Sequence, residues 1–348
     1  MAVYTTIDDP SAYFKVQLYT GNGSARTITF DDTDTDMQPD LVWVKDRDAT
    51  NYHFIYDSVR GDNLAIFSND ASAEVNVTSG QSGGGIGSQA SDGFTIVAGT
   101  SNTNNVNTSS NKYVAWCWKR STVSGVDIIT YTGTGSATTR SHNLSAVPNL
   151  IFTKNRTDAS TGNWYVYHHK NTSAPETDFM VFNDTDATSD SANAWNDTAP
   201  TSSVIHVGTN ERSGGASGDA MVAYIWAEKQ GFSKFGSYTG NGNADSTFVY
   251  LGFRPAWVMI KRTTGSTYNW MIFDNKRNTF NVIDDRLRAN TNDAEQTGSS
   301  THILDFVSNG FKIRSSNSAI GGGADPYIYM AFAEAPFVNS NGVPCNAR

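Results

Sequence analysis

The sequence predicts an all-β protein: three tandem homologous β-sandwich or jelly-roll domains with little helix. Two observations carry this. The chain repeats itself at a period of about 107 residues, and each repeat is a series of short runs with strand character.

The repeats open on a glycine turn. "YTGNGSARTITF" begins at Tyr19, "YTGTGSATTRSH" at Tyr131 and "YTGNGNADSTFVY" at Tyr238, spaced by 112 and 107 residues. A proline follows at Pro39, Pro148 and Pro255, and six residues later a lysine at Lys45, Lys154 and Lys261. Between them lie "DLVWVK", "NLIFTK" and "AWVMIK", rich in β-branched and aromatic residues. The proline falls where a strand start tolerates a missing donor. "HFIYD", "WYVYH" and "WMIFD" come next, with the alternation of half-buried strands. "LAIFSND" and "FMVFND" add a strand to the first two repeats, and "FNVIDDRLRAN" is more irregular in the third. Each repeat then passes through "GFTIVAG", "SVIHVG" or "GFKIRS" to a closing strand: "YVAWCWKR", "MVAYIWAEK" or "YIYMAFAEA". Trp118, Trp226 and Phe332 take equivalent places there, 108 and 106 residues apart. The predicted domains are 1–120, 121–229 and 230–348, each with roughly six to eight strands. Between the strands run three long polar stretches: "NVTSGQSGGGIGSQASDG", "NDTDATSDSANAWNDTAPTS" and "ANTNDAEQTGSSTH". They vary among the repeats, as binding loops on a common scaffold do.

Composition narrows function. Charged residues are 17% of the 348, aromatics 12%, and the net charge is -9. The aromatic content argues for a packed core. The acidic balance argues against a nucleic-acid partner, which needs a basic face. The N-terminal "MAVYTTIDDPSAYF" has neither the basic nor the apolar region of a signal peptide, and no apolar run is long enough to span a membrane. The expected site of synthesis is therefore the cytoplasm. Cys117 sits in an expected buried strand and Cys345 near the end of the sequence, so a bridge between them is poorly motivated.

Candidate sites are sparse. The turn residues Tyr19, Gly21, Gly23, Tyr131, Gly133, Gly135, Tyr238, Gly240 and Gly242 lack the further glycine, lysine and helix that a phosphate site needs. They read as tight turns that use glycine's access to positive φ, with the tyrosine packing beneath. Asp31, Asp32, Asp34 and Asp36 offer carboxylates at alternate positions, which suits calcium. The other repeats have no matching run, and the alternative is a solvated loop. His168 takes the place of Asp57 and Asp274 and reads as variation at a surface position. No constellation for catalysis emerges, so no enzyme activity and no cofactor are expected. Trp43, Trp116, Trp118, Trp164, Trp226, Trp257 and Trp270 lie in strand patterns and read as core. Trp195 lies in the polar stretch "SANAWNDTAP". It reads as an exposed tryptophan that stacks on a sugar or plugs an interface, or as an anchor for its own loop.

The recurring "YTGNG … QPDLVWVKDR … YHFIYDSVRG" and "SYTGNGNADSTFVYLGFRPAWVMIKRT … NWMIFDNKRN" resemble a domain family of bacteriophage virion and tail-fibre-like proteins, especially of marine phages. The resemblance runs from about residue 12 to 340 and is closest in the third repeat. The middle repeat departs most, with "SHNLSAVPNLIF" and His168. The resemblance implies a concanavalin-like sandwich architecture and brings no catalytic residues. It also implies a virion protein on the tail or decorating the capsid, in contact with other virion proteins or host-surface glycans. A homo-oligomer is expected on the particle, the alternative being a monomer whose three domains match a threefold site. The alternatives are a free lectin-like carbohydrate-binding module and a purely architectural spacer.

Overall fold

The structure, a computed structural model, describes residues 4–31, 35–78, 84–98, 106–160 and 162–345. It is all-β, and its only helical pieces among the described residues are Pro10–Ala12 and Ala192–Trp195.

One large antiparallel sheet forms from each third of the chain, with the same strand order each time. The first orders Phe14–Thr20, Lys112–Trp118, Leu41–Asp46, Phe54–Asp57, Leu64–Phe67 and Val75–Asn76. The second orders Val126–Thr132, Ala220–Trp226, Leu150–Asn155, Tyr165–His168, Asp178–Val181 and Ser189–Asp190. The third orders Ser233–Thr239, Pro326–Pro336, Phe253–Arg262, Met271–Asp274 and Leu287–Arg288. In each, the opening strand pairs with the closing strand, which pairs with the central one.

Three small sheets accompany them. Arg26–Thr29, Gly93–Val97 and Gly85–Ala90 form one, Thr138–Ser141 and Val204–Val207 another. Phe248–Tyr250, Gly310–Ile313 and Leu304–Val307 form the third.

The large sheets are covered on both faces, which explains their unbroken apolar runs. Along Leu41–Asp46 every residue is buried. Val42 and Val44 face a core shared with Ile28, Phe94 and Ile96 of the adjoining small sheet. Leu41 and Trp43 face the opposite way, into a core that gathers residues from all three large sheets. Ile151 and Phe152 divide in the same manner in the second third. In the shared core Trp43 packs edge-on to Phe182, with centroids 5.7 Å apart. Phe152 meets Trp270 at 6.5 Å, and Phe14 stacks on Phe332 at 5.0 Å. Such pairs each contribute about 0.5–1.5 kcal/mol beyond their burial.

Three expectations are corrected here. Pro255 lies inside Phe253–Arg262 rather than at a strand start. The ladder shifts register on both sides of it, and such a bulge tolerates the missing N–H. The first polar stretch contains the strand Gly85–Ala90, and the second contains Ser189–Asp190 and the helical turn Ala192–Trp195.

Candidate functional site

The glycine turns are built alike. Gly21 and Gly23 N–H groups donate to Asn111 and Asn107 carbonyls, both at 2.8 Å. Gly133 and Gly135 donate to Asp219 and Gly215 at 2.8 and 3.0 Å, and Gly240 and Gly242 to Asp325 and Gly321 at 2.9 and 3.0 Å. These amides are committed to a neighbouring loop, so they do not form an anion cradle. A Cβ on Gly133 would lie 2.2 Å from the Ala216 carbonyl oxygen, so the first glycine permits a close approach of two backbones. Gly135 has φ +66°, which only glycine adopts freely. The tyrosine hydroxyls tie the same loops: Tyr19 to Val106 O at 2.7 Å, Tyr238 to Ile320 O at 2.6 Å, and Tyr131 to Ser213 O.

The repeated lysines have a structural explanation that the sequence did not reveal. Each reaches into the preceding third of the chain, and the first closes the cycle by reaching the last. Lys154 Nζ donates to Ala71 O at 2.9 Å, Lys261 to Thr185 O at 2.9 Å and Lys45 to Asn292 O at 3.3 Å. Burial pulls all three ammonium groups down, Lys154 to about 7 and Lys45 and Lys261 to about 8. Trp164 and Trp270 follow the same cycle, their Nε1–H groups donating to Phe67 O at 2.7 Å and Val181 O at 3.1 Å.

A second cycle runs through the position of Asp57, His168 and Asp274, all fully buried. Tyr224 Oη donates to Asp57 at 2.6 Å, and Trp116 Nε1 donates to Asp274 at 3.1 Å. Arg60 neutralises Asp57, and Arg277 neutralises Asp274 at 2.6 Å. Burial alone would raise Asp57, but Arg60 and the Tyr224 hydroxyl hold it below the usual carboxylate range. His168 is therefore not surface variation. Lys170 N–H donates to its Nδ1 at 3.1 Å, which leaves the proton on Nε2, 3.2 Å from Tyr329 O. Burial, with His169 beside it, pushes His168 down to about 3, so it is a neutral donor. The arginines extend the ties outward. Glu74 bridges Arg60 at 2.8 Å and Arg156 at 2.6 Å, and Glu295 bridges Arg277 at 2.9 Å and Arg47 at 2.7 Å.

The other sequence candidates do not converge. Trp195 is 1% exposed, packs edge-on to Tyr167 and donates to Asp178 O at 3.0 Å, so it anchors its own loop. Asp31 and Asp36 are exposed, and Asp31 lies 3.6 Å from the Lys276 ammonium, while Asp32 and Asp34 lie outside the described residues. Among the described residues no three His, Cys, Asp or Glu side chains gather as metal ligands. Cys117 and Cys345 are free thiols. No helix among the described residues is long and apolar enough to cross a membrane.

A family described as a domain of unknown function, DUF7483, matches residues 9–336. The chain belongs to the DUF7483 family. No curated protein matches the sequence. The DUF7483 match encloses all three large sheets and the core they share, so the family's unit is the closed cycle rather than one repeat.

On the outside of this DUF7483 chain, grooves lie where one third meets the next. Asp40, Arg120 and Asp127 line the first, and His169, Glu228, Lys234, Phe248 and Tyr250 line the second. Phe14, Lys15, Lys276 and Glu334 line the third. Phe248 and Tyr250 escaped the sequence reading. Their signal was a mismatch among aligned repeats, two aromatics where the others carry Thr or Ser.

Proposed function

We propose that the protein is a structural component exposed on the surface of a bacteriophage particle, tail-associated or decorating the capsid. There it makes contacts with the host surface or with other virion proteins, and it carries out no catalysis. The observation that carries this reading is how the buried ionisable groups are used. Lysines, arginines, aspartates and glutamates tie neighbouring thirds together through backbone carbonyls and ion pairs. Catalytic groups need a cleft, whereas these are sealed between sheets around an aromatic core.

We also read the molecule as three homologous β-sandwiches in tandem, 1–120, 121–229 and 230–348, with sheets and turns repeated in order. Their inner faces close on one another in one shared core. The resemblance to phage virion proteins supports the location, and the acidic, sparsely charged composition supports a protein rather than a nucleic-acid partner.

Mass spectrometry of purified virions from the phage that encodes the chain tests the reading. Detection in the particle is expected, with copy number against the major capsid protein separating decoration from tail fibre. Absence from purified particles overturns it.

A further inference from the structure

The three thirds differ at one pair of outward positions. In the first small sheet Thr27 and Thr29 lie opposite Thr95 and Gly93. In the second, Thr139 and Ser141 lie opposite His206 and Val204. In the third, Phe248 and Tyr250 lie opposite Lys312 and Gly310. Thr27, Thr29, Thr139, Ser141, Phe248 and Tyr250 are all exposed, the phenylalanine by 43% and the tyrosine by 49%. Residues two apart on a strand share a face, so the two rings stand side by side. Water-exposed rings are a standing cost where small hydroxyl residues serve elsewhere.

These rings border the second groove, of about 450 Å³, within the usual size of small-ligand sites. Its polar groups are differently engaged from those of its counterparts. At the first junction Arg120 and Asp127 bond each other at 2.5 Å. At the third, Lys15 donates to Thr35 O at 2.6 Å and Glu334 pairs with Arg254 at 3.1 Å. At the second, Glu228 and Lys234 form no ion pair with each other among the described residues. Among the described residues the Glu228 carboxylate accepts a long bond from Phe235 N–H, at 3.3 Å, with the Lys234 and Lys170 charges nearby. Lys234 Nζ donates to Tyr250 O at 3.2 Å, 5.4 Å from the tyrosine ring centroid, and keeps further donors. His169, fixed by Phe235 O at 2.6 Å, walls the far side.

We propose that this groove binds a saccharide. A pyranose presents a face of weakly positive C–H bonds, which suits the negative face of Tyr250 and Phe248. Its rim of hydroxyl groups both donates and accepts. Glu228 accepts, Lys234 donates, and Ser237, which also lines the groove, does both. A peptide anchor would instead seek a deep apolar pocket, and this groove is open and half polar. The inference rests on the reading of the molecule as a surface-contact protein and names its ligand class.

The test is saturation-transfer NMR on the full chain with methyl glucoside, methyl galactoside, N-acetylglucosamine and glucuronate. Transfer to the ring C–H protons of at least one sugar is expected, at about millimolar affinity. The double variant F248T/Y250S, which restores the residue types of the other two thirds, should weaken that binding about tenfold or more while the protein still melts cooperatively, the Tyr4 hydroxyl contact to Tyr250 at 3.2 Å being lost. No transfer from any of the four sugars, or equal transfer with the double variant, overturns the proposal. So does self-association in sedimentation that the double variant abolishes while no sugar binds, because the rings would then be a contact between copies. Failure here with the protein present in virions leaves the particle reading standing. Sugar binding by a protein absent from virions sinks that reading alone.

Discussion

Two tryptophans of one third can have unequal costs, set by what each touches. Trp164 and Trp226 are both buried in the shared core, but only Trp164 gives its N–H to a carbonyl, Phe67 O. The Trp226 N–H has no partner among the described residues, and Phe332 already stands at its third equivalent. Trp164→Phe should therefore be more destabilising than Trp226→Phe by about 1–3 kcal/mol, the cost of an orphaned buried acceptor. Urea midpoints measure the difference, and equal midpoints would refute it.

The lysines make a second prediction. Because burial lowers Lys154 to about 7 and Lys45 and Lys261 to about 8, the unfolded chain binds more protons between these values and the ordinary 10.5. Stability from these groups must then rise with pH through that window, the reverse of a lysine that gains a carboxylate partner. The urea midpoint should climb from pH 7 to pH 9.5, with a shallower climb in Lys154→Met. A flat or falling profile shared by both proteins would contradict the assignment.

At the scale of elements, strands and turns were legible because their causes are local. "DLVWVK" reads as a strand from its own composition, and the glycines of the turn read as turn residues from glycine's backbone alone. The turn's two glycines nonetheless serve different needs. Gly133→Ala drives a Cβ to 2.2 Å from the Ala216 carbonyl, whereas at Gly135→Ala the nearest atom is 3.7 Å away and only the positive φ is penalised. We expect about 1–2 kcal/mol for Gly135→Ala and a clearly larger loss for Gly133→Ala, read from thermal melts. A ranking in the opposite order would contradict the close-approach account.

What was not legible depends on partners distant in sequence. Trp195 among polar neighbours left an exposed ring and a loop anchor open, and the anchor is decided by the Ala192–Trp195 turn folding against Asp178–Val181 and Tyr167. His168 looked like a surface substitution because an aspartate and a histidine seldom share a buried site. Here each satisfies a partner from another third of the chain. The lysine six residues after each proline was visible as a spacing, but its acceptors lie in a different repeat, so its role was hidden.

For the whole molecule, the shared core decides cooperativity. Leu150, Phe152, Val222, Tyr224 and Trp226 of the second third lie in a core completed by residues of the other two. Residues 121–229 alone would expose that surface together with Lys154, stripped of its Ala71 acceptor, far more than a soluble monomer tolerates. Calorimetry of the full chain should show one transition, and the 121–229 fragment should show no cooperative melt. Separate transitions in the full chain would mean that the thirds fold independently.

The closed cycle also brings distant parts of the chain together. Asp8 accepts a hydrogen bond from Ser340 N–H at 2.7 Å, and Thr5 Oγ1 donates to Gln230 O at 3.0 Å. Asp8 and Ser340, 332 residues apart, thus lie together. Any chain joined on either side would hold the molecule as a pendant, by a single point on its rim. Tension along such a thread would pass across that point and bypass the aromatic interior.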